Sequence, residues 1–159
     1  MQLRRYQLGV SLVESLVALV VMSIGMLGVA GLYVESVRSN RTALIRTNAV
    51  YLVNDLADRI RANRRGREEY AKTPQPIDSV PNCAATDCTP AQLAAYDLAH
   101  WQSHVQETLP KAPDGTPAKT TVTFTAGDPD RYEIVVEWVE PGDTSPLTAR
   151  IEIQQSGIL

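Results

Sequence analysis

Proline is missing from the first 73 residues of this 159-residue chain, and all 10 prolines lie from Pro74 onward. Nothing in that stretch therefore breaks a helix by removing an amide donor. Aromatic residues are few: one Phe, two Trp and six Tyr. So small a supply leaves a modest core and argues against a large enzyme with a deep pocket. Only two cysteines occur, Cys83 and Cys88, which excludes a disulfide-dense scaffold and any four-thiolate zinc site. There is no basic excess either. Fifteen Lys+Arg stand against 18 Asp+Glu, a formal net charge of -3, whereas nucleic-acid binders carry a basic balance or stripe. No nucleic-acid partner is expected. What remains is ordinary: a hydrophobic content of 44% argues against disorder, and the length suits one domain.

The apolar residues are unevenly spread. Residues 1–9 are short and polar, with Arg4 and Arg5 and no acid, and Ser15 to Val34 is a run of twenty residues without a charge. As a helix that run spans roughly 30 Å, the hydrocarbon thickness of a bilayer. A cleaved secretory signal would look similar, with Gly28-Val29-Ala30 as a small-x-small site. The run is longer than a usual signal core, however, and Glu14 sits at its leading edge. A carboxylate at the centre of a membrane helix costs about 2.5–3.5 kcal/mol, less near an interface. Something should compensate it. The flanking arginines do not orient the span, because Arg4 and Arg5 precede it while Arg38, Arg41 and Arg46 follow.

The string Leu8-Gly9-Val10-Ser11-Leu12-Val13-Glu14, preceded by Arg4-Arg5 and followed by Leu16-Val17-Ala18-Leu19-Val20, resembles the type IV prepilin processing site. The resemblance implies that a prepilin peptidase cuts after Gly9 and N-methylates Val10. It also implies that Glu14 docks a neighbouring subunit. Val10 stands where most pilins have Phe. A cytoplasmic leader, a single pass through the inner membrane and a periplasmic body follow from the same resemblance.

From Glu35 to about Arg65 there is neither Pro nor Gly, and Ile45, Ala49, Leu52, Val53, Leu56 and Ile60 form an apolar stripe at helical spacing. The spacing predicts one helix from Val10 to Arg65, roughly 84 Å long at 1.5 Å per residue, with Gly66 at the C′ position. Gly25, Gly28 and Gly31 are its weak points, each costing about 0.8–1 kcal/mol relative to Ala. Eight arginines lie between Arg38 and Arg67, with Asp55 and Asp58 the only acids among them. They read as a solvated face, since no aromatics interleave with Arg59 to Arg67 to stack bases.

Residues 66–89 read as loop around Pro74, Pro76 and Pro81. Four residues separate Cys83 from Cys88. That gap is too wide for a thioredoxin-like pair, and no second pair exists for zinc. A short periplasmic disulfide is expected, worth roughly 2 kcal/mol. Thr89-Pro90-Ala91-Gln92 then reads as N-cap, N1 proline and capping-box glutamine. The helix it opens should run to about Leu109, with Ala94, Leu98, Trp101, Val105 and Leu109 as its apolar face. His100 and His104 are one turn apart, but HWQSH lacks the glutamate of HExxH and offers no third ligand. They are expected to be exposed or capping, and no metal is expected.

Three alternating runs follow: Thr120–Ala126, Arg131–Glu140 and Leu147–Gln155. Val122, Phe124 and Ala126 form one set. Tyr132, Ile134, Val136 and Trp138 form the second, and Leu147, Ala149, Ile151 and Ile153 the third. Joined by short Gly/Pro/Asp turns, they predict an antiparallel meander with one buried face, covered by the stripe from Ile45 to Ile60. The fold class is α+β: a long N-terminal helix, half transmembrane and half amphipathic, on a C-terminal antiparallel meander. Its organisation is a leader at 1–9, an assembly half at 10–34, an amphipathic half at 35–65 and a globular remainder at 66–159.

That plan resembles the pilin fold. Tyr96-Asp97-Leu98 with Trp101, the Leu109-Pro110 stop and the strand from Tyr132 to Trp138 resemble the PilV group of minor pilins. The resemblance implies a subunit that primes or caps pilus assembly. Its partners would be other minor pilins, the major pilin and the inner-membrane assembly machinery, and it would sit near the filament tip. A pseudopilin of a type II secretion system and a DNA-uptake pilin are the alternatives. No nucleophile elbow, P-loop or carboxylate pair is present, so neither catalytic residues nor a cofactor is expected. The chain reads as the substrate of an enzyme.

Overall fold

The structure, a computed structural model, describes residues 11–156. Helix α1 (Leu12–Ala62) is followed by two 3₁₀ segments (Arg64–Ala71 and Ile77–Ser79), helix α2 (Pro90–Thr108) and strands β1 (Lys119–Thr125), β2 (Asp130–Val139) and β3 (Pro146–Gln155). The chain divides into two compact units between Arg41 and Thr42.

In the first unit, α1 is unbroken through Gly25, Gly28 and Gly31. The three glycines do not interrupt it, because each helical amide keeps a partner one turn back. Ser23 Oγ donates to the Leu19 carbonyl at 2.7 Å, so this hydroxyl is satisfied within the helix, as a lipid environment requires.

In the second unit, the last turns of α1 bury Ala49, Leu52, Val53, Leu56, Ala57 and Ile60, with Ile45 partly covered. Their partners are α2 and one face of the sheet, whose order is β1-β2-β3, antiparallel throughout. Register aligns the buried side chains in rows. Val122 faces Ile134, which faces Ile151, and Phe124 faces Tyr132, which faces Ile153. Central β2 buries Tyr132, Ile134, Val136 and Trp138, while Val122 and Phe124 on β1 remain half-buried. Each strand begins one residue before the expected start, and Ala126 falls outside β1, exposed.

Helix α2 starts where its capping signals place it. Gln92 N–H donates to Thr89 Oγ1 at 3.3 Å, and Thr89 N–H donates to Gln92 Oε1 at 2.9 Å. Its apolar face, Ala94, Leu98, Trp101, Val105 and Leu109, is buried. Trp101 Nε1 donates to the Leu52 carbonyl at 2.8 Å, which fixes α2 against α1.

Two expectations fail between residues 62 and 80. Helix α1 stops at Ala62, short of Arg65, because Asn63 leaves helical geometry (φ -106°, ψ 62°) and donates through Nδ2 to the Pro90 carbonyl at 2.8 Å. Gly66 is therefore no helix C′ residue. It lies buried in the first 3₁₀ segment, where a Cβ would stand 2.7 Å from Asn63 Nδ2 and 2.8 Å from Tyr70 Cε2. Close approach is what that site demands of glycine. The expected loop is also partly regular: the 3₁₀ segment carries Tyr70 into the core, where it is fully buried. Arg67 sits at φ 35° in this segment, a conformation uncommon outside glycine. Its guanidinium is held by Asp130 (Nε to Oδ2 and Nη2 to Oδ1, both 3.1 Å) and lies 5.9 Å from the Phe124 ring centroid.

Candidate functional site

Glu14 is exposed in the first turn of α1, where the positive end of the helix dipole favours a carboxylate. No ion pair to it forms among the described residues. From Leu12 to Val34 the apolar side chains are exposed as well, Leu32 at 74% and Leu12 at 85%. Contiguous apolar surface of this extent marks a lipid or protein contact. The helix is long and apolar enough to cross a membrane, and no residue of its most apolar window is buried. Gly9 and Val10, the expected cleavage and methylation positions, lie outside the described residues.

The second unit carries polar groups whose connections are not legible in the sequence. Asp97, buried on the apolar face of α2, accepts from Tyr70 Oη at 2.8 Å and from Arg59 Nη1 at 3.0 Å. Arg59 also pairs with Asp55 at 3.1 Å. Burial first, and then the hydrogen bond to the Asp97 carboxylate, push the Tyr70 phenol well above its ordinary value. The signal for Asp97 was present: a carboxylate between Ala94 and Trp101 interrupts an apolar stripe. Tyr70 gave none.

The basic face is solvated as expected, with Arg59 half-buried and the other seven arginines exposed, but part of it is paired. Of the eight arginines expected to be solvated, Arg46, Arg59, Arg61 and Arg67 meet Glu140, Asp55 with Asp97, Asp58 and Asp130 respectively. Arg46 grips Glu140 with Nε at 2.8 Å and Nη2 at 3.3 Å. Arg46, Arg59 and Arg67 thereby reach the end of β2, α2 and the start of β2, while the Arg59–Asp55 and Arg61–Asp58 pairs stay within α1.

Cys83 and Cys88 are joined by a disulfide, their Cα atoms 5.6 Å apart. It closes the loop just before the Thr89 cap. His104 is exposed, while His100 is half-buried against the Tyr96 ring, 4.2 Å between centroids. The two do not converge with a third ligand, and no group of three or more His, Cys, Asp and Glu forms among the described residues.

The chain thus carries an exposed apolar helix with a carboxylate in its first turn and a disulfide-bearing α+β body. A family model described as the prokaryotic N-terminal methylation motif matches residues 4–30. One described as type IV pilin Tt1218 matches residues 31–99. The chain belongs to the type IV pilin family. No curated protein and no solved structure gives a significant match. The matches to this pilin end within α2, ahead of the sheet, whose place in a pilin-like α+β fold rests on the structure. The methylation motif implies processing by a prepilin peptidase and assembly with other pilins, and with the apolar helix it marks a membrane anchor. Pilins of this family are structural subunits rather than enzymes.

Proposed function

We propose that this pilin is a minor subunit of the PilV group, which primes or caps a type IV pilus together with other minor pilins and the major pilin. Hydrolysis of the Gly9–Val10 bond by the peptidase frees the amino group of Val10, which then receives a methyl group. The mature subunit spans the inner membrane once, holds its body in the periplasm and enters the filament near the tip through the assembly machinery.

The observation that carries this reading is the placement of Glu14, an exposed carboxylate at the head of an apolar helix whose side chains have no cover within their own unit. In a medium of low dielectric constant an isolated carboxylate is unfavourable, and attraction to a cation is strong. The freed amino terminus of a neighbouring subunit supplies that cation. Apolar packing along Val17 to Val34 supplies most of the contact area. Tyr96-Asp97-Leu98, Trp101 and the Leu109-Pro110 stop favour the PilV group over a secretion pseudopilin.

The test separates insertion from assembly. Glu14→Ala removes a charge, so it should insert into the membrane at least as well as wild type and still be cut after Gly9. Losing about 3 kcal/mol of docking, typical of an ion pair broken in a desolvated site, should lower incorporation into sheared filaments or the priming complex by about 100-fold. Cell fractionation with N-terminal sequencing measures both quantities. Wild-type incorporation of Glu14→Ala would remove the docking role. Crosslinking that captures secretion-system subunits in place of pilins would make the chain a pseudopilin.

A further inference from the structure

A cavity of about 520 Å³ lies between the disulfide loop and the outer side of α2. Its lining includes Ile77, Asp78, Val80, Asn82, Tyr96 and His100. The size falls within the 300–1,000 Å³ of small-ligand sites. Covalent and hydrogen-bonded constraints shape it. The disulfide ties Cys83 to Cys88, the residue before the α2 cap. Asn82 Oδ1 accepts from Ala84 N–H at 3.2 Å, and the Asn82 carbonyl accepts from Thr86 Oγ1 at 3.0 Å. The Asn82 rim is thus fastened to the start of the helix that presents Tyr96 and His100. Those two rings, one turn apart with centroids at 4.2 Å, make a fixed aromatic wall.

The polar side chains lining this open space are exposed or half-buried and uncommitted. The Asp78 carboxylate, the Tyr96 hydroxyl, the His100 imidazole and the Asn82 amide N–H groups make no hydrogen bond to other described residues. Together they present a carboxylate acceptor, amide donors and two groups able to act either way. An anion would meet the Asp78 carboxylate, and a cation would leave the Asn82 donors unused. Ring hydroxyls, each both donor and acceptor, match the mixture, while the aromatic wall with Ile77 and Val80 suits the C–H faces of a sugar ring. We infer that this cavity is a saccharide-binding site, taking one or two hexose-type rings. The site stands apart from the assembly role of Glu14 and does not depend on it.

Saturation-transfer NMR on the full mature chain, held in dodecyldimethylamine oxide to avoid sugar headgroups, tests the inference. The probes are cellobiose, maltose, lactose and di-N-acetylchitobiose, with choline chloride and inorganic phosphate as controls. At least one disaccharide should bind saturably, with Kd on the order of 1 mM. Asp78→Ala, a change at an exposed residue, and Tyr96→Ala should each weaken it at least fivefold. Reduction of the Cys83–Cys88 bond should weaken it too. Asp58→Ala, remote from the cavity in sequence and lining, should leave it unchanged. The inference fails if no disaccharide saturates, if binding survives both Asp78→Ala and Tyr96→Ala, or if choline alone binds in an Asp78-dependent manner. Asp78→Ala should enter filaments normally, so failure here and failure of the Glu14 docking role are distinguishable.

Discussion

Removing one hydroxyl should reveal how much the body depends on its buried polar clamp. In Tyr70→Phe the ring keeps its place in the core, and the hydroxyl's contacts are lost: the short one to Asp97 Oδ2 at 2.8 Å and a long one to the Arg59 carbonyl at 3.4 Å. A hydrogen bond to a charged group contributes about 1.5–3 kcal/mol, and the abandoned carboxylate oxygen remains buried without that donor. Arg59 still holds Oδ1 at 3.0 Å, which keeps the loss near the middle of that range, about 2 kcal/mol. For a body of this size that is a fall in Tm of roughly 5–10 °C. Asp97→Ala removes both contacts, leaving Arg59 with Asp55 and solvent, and should cost about 3 kcal/mol. The double variant decides the matter. Because the Tyr70–Asp97 bond can be lost only once, its cost should be less than the sum of the singles by about 1.5–2 kcal/mol. Thermal unfolding of the mature chain, followed by circular dichroism, measures all three. Additivity within about 0.5 kcal/mol would show that the two groups are neighbours without energetic coupling, and the clamp would be only a matter of shape.

Three further outcomes follow from the same body. Gly66→Ala should destabilise by about 1–3 kcal/mol through overpacking against Asn63 and Tyr70, whereas Gly28→Ala, with nothing within 4 Å of its Cβ and a better helix former in place, should cause no loss in the same melting assay. The Gly127 amide first, and Arg67 after it, hold the Asp130 carboxyl below its ordinary value of 3.8. Stability from this group is complete above that value and is lost as pH falls through the lower folded one, so Arg67→Ala should narrow the difference in Tm between pH 7 and pH 3; an unchanged difference would count against the pairing. Burial, and then the charge of Asp130, push the Tyr132 phenol up to about 12. Its contribution is full below 10, the unfolded tyrosine value, and declines as pH rises toward 12, so Tyr132→Phe should reduce the alkaline loss of stability seen in a pH series of melts.

Local chemistry makes much of this protein legible in its residues alone. The apolar run and the glutamate at its head need only their own neighbours to be recognised. The same is true of the Thr89–Gln92 capping box, whose two hydrogen bonds span three residues. Period-two alternation places the buried face of β2 correctly, because a strand that covers a core has no other way to divide its side chains. The expected strand starts are off by one because pairing with a neighbour, not alternation, decides where a ladder begins.

Long-range packing settles whatever depends on residues far apart in the chain. Gly66 has the look of a helix terminator, yet packing against Asn63, Tyr70 and Ala94 is what requires it. Three arginines of the solvated face also act as struts, to carboxylates 38, 63 and 94 positions away, at Asp97, Asp130 and Glu140. The mixed polar lining of the cavity beside α2 likewise joins residues from separate segments, Asp78 and Asn82 with Tyr96 and His100, and exists only in the folded chain. The anchor, the helices and the strand faces are written locally, since helix and strand periods and caps act over a few residues. Which charge meets which, and where an uncommitted surface opens, waits on the folded chain, because such contacts form only after burial has chosen the neighbours.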